Sequence, residues 1–312
     1  MGRALNQLVG LGRLKAMADR DIAASRATRE VFPHSGLYGP GGLGKTSFAE
    51  AVAQDLGYHF DMVEGAMFKC RRAILERLSQ SSLAAEARGK RLIFFIDEVH
   101  RLAKEPQEAL YYPMLEFFLP DSRTKLQPFS LFAATTHPHE LLRPFRSRLK
   151  NEWSFQRYDL CDIEVMITRA LTDYGLMIDS GVVELVSKRC LGVPRRAYNI
   201  ALKIRNEVLF RGGELSVSVQ DCENTFALEG IDPIGLDLDQ VAYLKVLSEA
   251  RGQPKGVGGI AGMLDRDVEV VEDSIEPVLL SLKFIDRTSR GRVLTELGYV
   301  HLGRTGQLEG SI

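Results

Sequence analysis

Between residues 35 and 157, short apolar runs alternate with helical patterns. "SGLYG", "LIFFID" and "FSLFAATT" are continuous apolar runs of strand length, whereas "KTSFAEAVAQDLG" places its apolar positions at helical spacing. That alternation predicts an α/β fold with a parallel sheet covered by helices. From 159 to 229 the pattern changes to successive helical segments, "DIEVMITRALTDYG", "SGVVELVSKRCLG" and "PRRAYNIALKIRNEVLF", with no strands expected between them. After the break "EGIDPIGLD", residues 237 to 304 give three helical patterns and then two short extended runs around "RTSRGR", the order of a winged helix-turn-helix. The expected domains are therefore an α/β domain over 1–158, a small helical domain over 159–231 and a winged helix over 232–312.

Composition narrows the class. The chain has 312 residues, 45% hydrophobic and 26% charged, as in ordinary globular proteins of more than one domain. Forty basic and 41 acidic residues give a net charge of -1, so any attraction to nucleic acid must be local. Cys70, Cys161, Cys190 and Cys222 stand apart, without the spacing of a zinc site or a disulfide framework, which suits a reducing interior. "MGRALNQLVGLGRLKAM" has too short an apolar run for a signal peptide, and no apolar window of membrane-spanning length occurs elsewhere, so a cytoplasmic location away from membranes is expected.

The most informative local signal is "GPGGLGKT", Gly39 to Thr46, which satisfies G-x-x-x-x-G-K-S/T after an expected strand and opens an expected helix. Gly39, Pro40, Gly41, Gly42, Leu43 and Gly44 form a loop whose N–H groups can converge on phosphate oxygens at a helix N-terminus, with Ser47 following in the first turn. In this motif Lys45 adds charge at the β/γ-phosphates and Thr46 offers its hydroxyl to Mg²⁺. Further on, "RLIFFIDEVHRL" ends an apolar strand in Asp97 and Glu98, at the C-terminal end of the strand, where open α/β sheets bind ligands. Asp97 is expected to help hold Mg²⁺, and Glu98 to polarise the attacking water. Alone, Asp-Glu after a strand is more often a helix start; the phosphate loop reverses that preference.

Together, "GPGGLGKT", "FIDEVHRL", "AATTHP", "LLRPFRSRL", "GVPRRAYN" and "IDRTSRGR" resemble, in content and order, the RuvB family of AAA+ motors, from about residue 8 to 303. The resemblance implies ATP as the nucleotide, a homo-oligomeric, hexameric ring, and migration of branched DNA junctions. It places Thr136 at the sensor-1 position, Arg148 at the arginine finger supplied to a neighbouring subunit with Arg146 beside it, and Arg195 at sensor 2. It also implies a base pocket built on Leu8, Val9 and Gly10 together with lid residues. Two departures stand out: His137 follows "ATT" where the family usually carries Arg, and "RSRLKNEW" lacks the usual "RFG".

The third domain has an asymmetric charge. The segment in the place of a recognition helix carries Asp265, Asp267, Glu269, Glu272, Asp273 and Glu276 against Arg266, which makes it a poor major-groove reader. Lys283, Arg287, Arg290 and Arg292, around Gly291, make the wing the expected contact to duplex or branched DNA through phosphates. The bland reading is a winged helix used for protein contact with a solvated wing.

Finally, "LPDSRTKLQPF", Leu119 to Phe129, is a short polar connector where the family has a longer apolar hairpin that docks RuvA. Asp121, Ser122, Arg123, Thr124 and Lys125 supply no apolar anchor, so a RuvA-type partner is not expected. The leading expectation is an ATP-driven DNA motor. Its alternative is an AAA+ switch or loader acting on a DNA-associated protein without processive movement; a non-catalytic scaffold is disfavoured by Lys45, Asp97, Glu98 and Arg148.

Overall fold

A computed structural model describes residues 4–119 and 124–309. The chain divides into two compact units, Met1–Val165 with Val193–Arg195, and Met166–Gly192 with Arg196–Ile312.

The first unit is built on a five-stranded parallel sheet of β1 (Ser35–Tyr38), β2 (His59–Glu64), β3 (Leu92–Asp97), β4 (Ser130–Thr135) and β5 (Asn151–Ser154), in the order β2-β3-β4-β1-β5. The continuous apolar runs are continuous because both faces of the sheet are covered. Along β3, Leu92, Phe94 and Ile96 enter one core, while Ile93 and Phe95 enter the other. Along β4 the same two-residue period sends Leu131 and Ala133 one way and Phe132 and Ala134 the opposite way. The helix Lys45–Leu56 buries Phe48, Ala49, Val52 and Ala53 against the second of these cores. The parallel register Glu64↔Asp97 and Tyr38↔Thr135 brings the C-terminal ends of the inner strands level, which fixes where the phosphate loop and the acidic pair meet.

A short hairpin pairs Phe118–Leu119 with Thr124–Lys125. Of the connector residues singled out in the sequence, Asp121, Ser122 and Arg123 lie outside the described residues, while Thr124 and Lys125 are exposed.

In the second unit the helices Val182–Arg189, Pro194–Arg211 (from Arg196 onward) and Val219–Glu229 follow one another as expected. The last begins with a reciprocal capping box between Ser218 and Asp221. A parallel pair, Met177–Ile178 with Ser216–Val217, lies between these helices, against expectation. Two-residue strands carry no periodicity for a sequence pattern to reveal. The helices Leu238–Glu249, Val257–Leu264 and Val268–Ser281 precede a wing of β6 (Ile285–Thr288) and β7 (Gly291–Leu294), followed by a further helix, Glu296–Glu309. The same compact unit therefore contains most of what the sequence separates into helical and winged-helix segments.

Candidate nucleotide site and the wing

The phosphate loop has the backbone its glycines allow. Gly42 and Gly44 take φ of 78° and 87°, in the left-handed region that side chains disfavour. Gly44 caps the Lys45–Leu56 helix without any side-chain cap, so the first-turn N–H groups of Lys45, Thr46 and Ser47 remain available to an anion. Lys45 is buried, and its Nζ donates to the carbonyls of Gly39 and Pro40 at 2.7 and 3.1 Å. Burial lowers its pKa, opposed by Glu98 and Asp97 and reinforced by Arg195. Leu43 is part of the core, and its carbonyl accepts the Tyr158 hydroxyl at 3.2 Å.

Asp97 ends β3, and its Oδ1 accepts the Glu98 N–H at 3.0 Å. Burial raises its pKa, partly offset by that N–H. The Asp97 carboxylate and the Thr46 hydroxyl are hard oxygen donors of the kind magnesium takes, so the residues present fit that ion. Glu98 adopts a left-handed φ of 44°, a conformation that costs about 1–3 kcal/mol in a non-glycine residue. Gly65 makes room for it: a Cβ there would lie 2.5 Å from the Glu98 carbonyl oxygen. The role of Gly65 is not visible in the sequence, since nothing local marks a close approach between two distant loops.

Glu98 Oε2 accepts both the backbone N–H and the hydroxyl of Thr136, at 3.3 and 3.2 Å, and lies 3.2 Å from His100 Nδ1. Burial disfavours its charge, but His100, Lys45 and the Thr136 N–H outweigh that and lower its pKa to about 2. Thr136 thus sits beside Glu98 at the end of β4, where sensor 1 was expected.

Arg195 reaches the loop from the middle of the chain. Its N–H donates to the Gly42 carbonyl at 3.3 Å, and a Cβ on Gly42 would stand 3.0 Å from its own Cβ. Gly42 is therefore needed for close approach as well as for its φ.

Arg148 has different neighbours. Its guanidinium lies 4.6 Å from the Tyr111 ring centroid, Nη1 donates to the Pro144 carbonyl, and Nε is buried with no hydrogen-bond partner among the described residues. The small cavity beside it is lined by Phe32, His34, Met114, Leu115 and Lys150 and includes no phosphate-loop residue. Arg146 is occupied elsewhere, in a two-pronged pair with Glu152 at 2.8 and 3.0 Å.

Gly10, expected with Leu8 and Val9 around the base, lines a cavity that those two residues do not. A cavity of about 590 Å³ is lined by Gly10, Met17, Glu152, Arg157, Tyr158 and Asp162, among others, but not by Leu8 or Val9. Leu8 packs against the core, and its carbonyl accepts Lys15 Nζ. Gly10, at φ 63°, is pressed between Asp162 and Tyr158: a Cβ would lie 2.5 Å from Asp162 Oδ2 and 2.9 Å from the Tyr158 ring. The Tyr in "SFQRYDL" was the available signal, but its distance along the chain from Gly10 concealed it.

Two of the four expected DNA contacts in the wing are held in internal ion pairs. Arg287 and Arg292 face each other across β6 and β7, and both bind Glu276, whose carboxylate is fully buried. Arg287 Nη2 lies 2.6 Å from Glu276 Oε2, and Arg292 Nε lies 2.8 Å from Oε1. Arg292 also reaches Glu272 at 2.6 Å, and the Tyr243 hydroxyl donates to Glu276 at 2.7 Å. Burial opposes ionisation of Glu276, yet Arg292, Tyr243 and Arg287 together lower its pKa. Glu276, expected as one of the acids that make its helix a poor major-groove reader, is a structural counter-ion. A π-helical turn, Val271–Ile275, interrupts the helix between Val268 and Ser281. Arg290 and Lys283 are exposed and have no side-chain partner among the described residues, so of the four expected DNA contacts only these two lack an internal ion pair.

The comparisons with known proteins agree over nearly the whole length. A family model described as the Holliday junction DNA helicase RuvB P-loop domain matches residues 2–154, and one described as the RuvB C-terminal winged helix domain matches 233–303. The RuvB subunit of the Holliday junction branch migration complex from Solibacter usitatus is 31% identical over 309 residues, covering 95% of this chain and 87% of that protein. Its counterpart from Thermosipho melanesiensis is 31% identical over 313 residues, covering 96% of each. The solved structure of the Thermotoga maritima RuvB Holliday junction branch migration motor aligns with a TM-score of 0.86 at 29% identity, over 97% of both chains.

Proposed function

The chain belongs to the RuvB family, and from that we propose that it is an ATP-driven motor that migrates branched DNA junctions as a ring of identical subunits. The observation that carries this reading is the convergence of Lys45, Asp97, Glu98, Thr136 and Arg195 on one phosphate loop. Lys45 and the first-turn N–H groups hold the phosphates, and Glu98 orients the attacking water and accepts its proton. Asp97 and Thr46 would hold magnesium, which would supply positive charge to offset that of the phosphates. Tyr158 and Asp162, opposite Gly10, shape the pocket for the base. Arg148 serves the site of the neighbouring subunit, a reading supported by its distinct set of neighbours. The division of labour remains three-part: ATPase domain, helical lid and winged helix.

DNA contact falls to Arg290 and Lys283, while Arg287 and Arg292 shape the wing that presents them. The strands Phe118–Leu119 and Thr124–Lys125 pair over only two residues each, too little for the apolar handle that would dock RuvA, so the motor works alone or with another partner. The test is ATP hydrolysis with and without a four-way junction, together with strand movement on that junction and sedimentation of the assembled ring. DNA-stimulated hydrolysis with branch migration is expected. DNA binding without strand movement would favour the switch or loader. Hairpin-dependent capture by RuvA would overturn the partner assignment.

A further inference from the structure

Thr136 Oγ1 stands between two groups, 3.2 Å from Glu98 Oε2 and 2.8 Å from His137 Nδ1. A hydroxyl has one proton and can donate it to only one of them. Glu98 Oε2 already receives the Thr136 backbone N–H and therefore acts as an acceptor. The hydroxyl proton then points to Glu98, and the contact with His137 must run the opposite way, from an Nδ1–H into the hydroxyl lone pair. The His137 backbone is held in place independently, because its N–H donates to Thr135 Oγ1 at 2.9 Å. Its ring packs against His100, with centroids 4.9 Å apart.

The consequence lies in what Thr136 can do next. A phosphate oxygen, like a carboxylate oxygen, only accepts. A hydroxyl whose lone pair is already occupied by a donor presents its proton outward, and a chain of such bonds polarises each member. We propose that His137 is a positioning residue for ATP hydrolysis: by donating from Nδ1 to Thr136 Oγ1, it keeps that hydroxyl a donor, to Glu98 in the resting site and to the terminal phosphate instead once nucleotide is bound. The inference rests on the assignment of Thr136 and Glu98 to the hydrolytic site made above. It concerns the residue at which this chain departs from the usual Arg, and it gives that departure a chemical role: a ring nitrogen supplies the N–H.

The experiment measures steady-state ATP hydrolysis by the full-length chain, saturated with magnesium and DNA, for the wild type and for His137→Ala, His137→Asn, Thr136→Val and the Ala/Val double variant. Melting temperatures establish that each is folded. His137→Ala is expected to lower kcat about tenfold with KM for ATP little changed, the loss of about one hydrogen bond made in the transition state. His137→Asn should recover most of that, since its amide N–H can occupy the place of Nδ1–H. In the Thr136→Val background, removing His137 should cost nothing further. Normal turnover by a folded His137→Ala, no recovery by Asn, or additive losses in the double variant would each overturn the proposal. If Thr136→Val itself turns over normally, the assignment of Thr136 falls and takes the proposal with it. If Thr136→Val is slow while His137→Ala is normal, only the proposal falls.

Discussion

Arg292 Nε lies 2.8 Å from Glu276 Oε1, in a pair whose carboxylate is fully buried and whose arginine is 15% exposed. This relationship changes how the basic wing is to be tested. Removing Arg292 leaves a buried charge short of a partner, which typically costs 3–5 kcal/mol. Arg292→Ala should therefore destabilise the winged helix by about 3 kcal/mol, read by chemical denaturation, and any loss of DNA binding would be secondary to that.

Arg290→Ala provides the contrast. Arg290 lies at the exposed turn between β6 and β7 and has no side-chain partner among the described residues. Stability should change by less than about 0.5 kcal/mol. Duplex affinity should fall across sequences, with the salt slope reduced by about one unit, as measured by titrations at several ionic strengths.

Glu98 should be separable from nucleotide binding. Glu98→Gln is expected to lower turnover by about 10²–10⁴-fold while ATP affinity changes little, checked by single-turnover hydrolysis beside equilibrium binding. Its pKa is held near 2, with burial opposing the charge and His100, Lys45 and Thr136 favouring it. Protonation of Glu98 should consequently contribute no acid limb to the rate above a pH of about 4.

Arg148 and Tyr111 offer a test of the ring. An Arg148→Ala subunit mixed with a Lys45→Ala subunit should recover hydrolysis that neither shows alone, because each retains what the other lacks. Tyr111→Phe keeps an aromatic face under the guanidinium and should be neutral. Tyr111→Ala should lower assembled turnover by about threefold, the worth of a partly exposed cation–π contact. Mixed rings that stay inactive although they assemble would remove Arg148 from the role.

His34 should govern part of the acid stability. Its Nδ1 accepts the Leu131 N–H and its Nε2 donates to the Met114 carbonyl, both at 2.8 Å. Burial lowers its pKa, partly opposed by the Met114 carbonyl and assisted by the charge of Lys150. The folded state therefore resists a proton that the unfolded chain accepts near pH 6.5. The stabilisation is present above that pH and is lost as pH falls through the lower folded value. Thermal melts from pH 7.5 to about 5 should fall more steeply for the wild type than for His34→Gln, whose lower melting temperature should be flatter with pH.

The sequence by itself determined what is written contiguously. The phosphate loop was legible because its glycines, Lys45 and Thr46 act through one stretch of backbone. The strand at Leu92–Asp97 was legible because burial on both faces demands an unbroken apolar run. The family was legible because several such stretches recur in order. Charge and spacing along the chain, however, do not say which groups meet. Only the tertiary structure decided that Arg292 serves Glu276, sixteen residues away, and leaves Arg290 exposed. The tertiary structure also paired Gly10 with Tyr158 and Asp162, Gly65 with Glu98, and Tyr111 with Arg148. The physical reason is the same in each case. Local patterns set backbone conformation and which face is buried, whereas the free energy of a charge or a close approach depends on what the fold places opposite it.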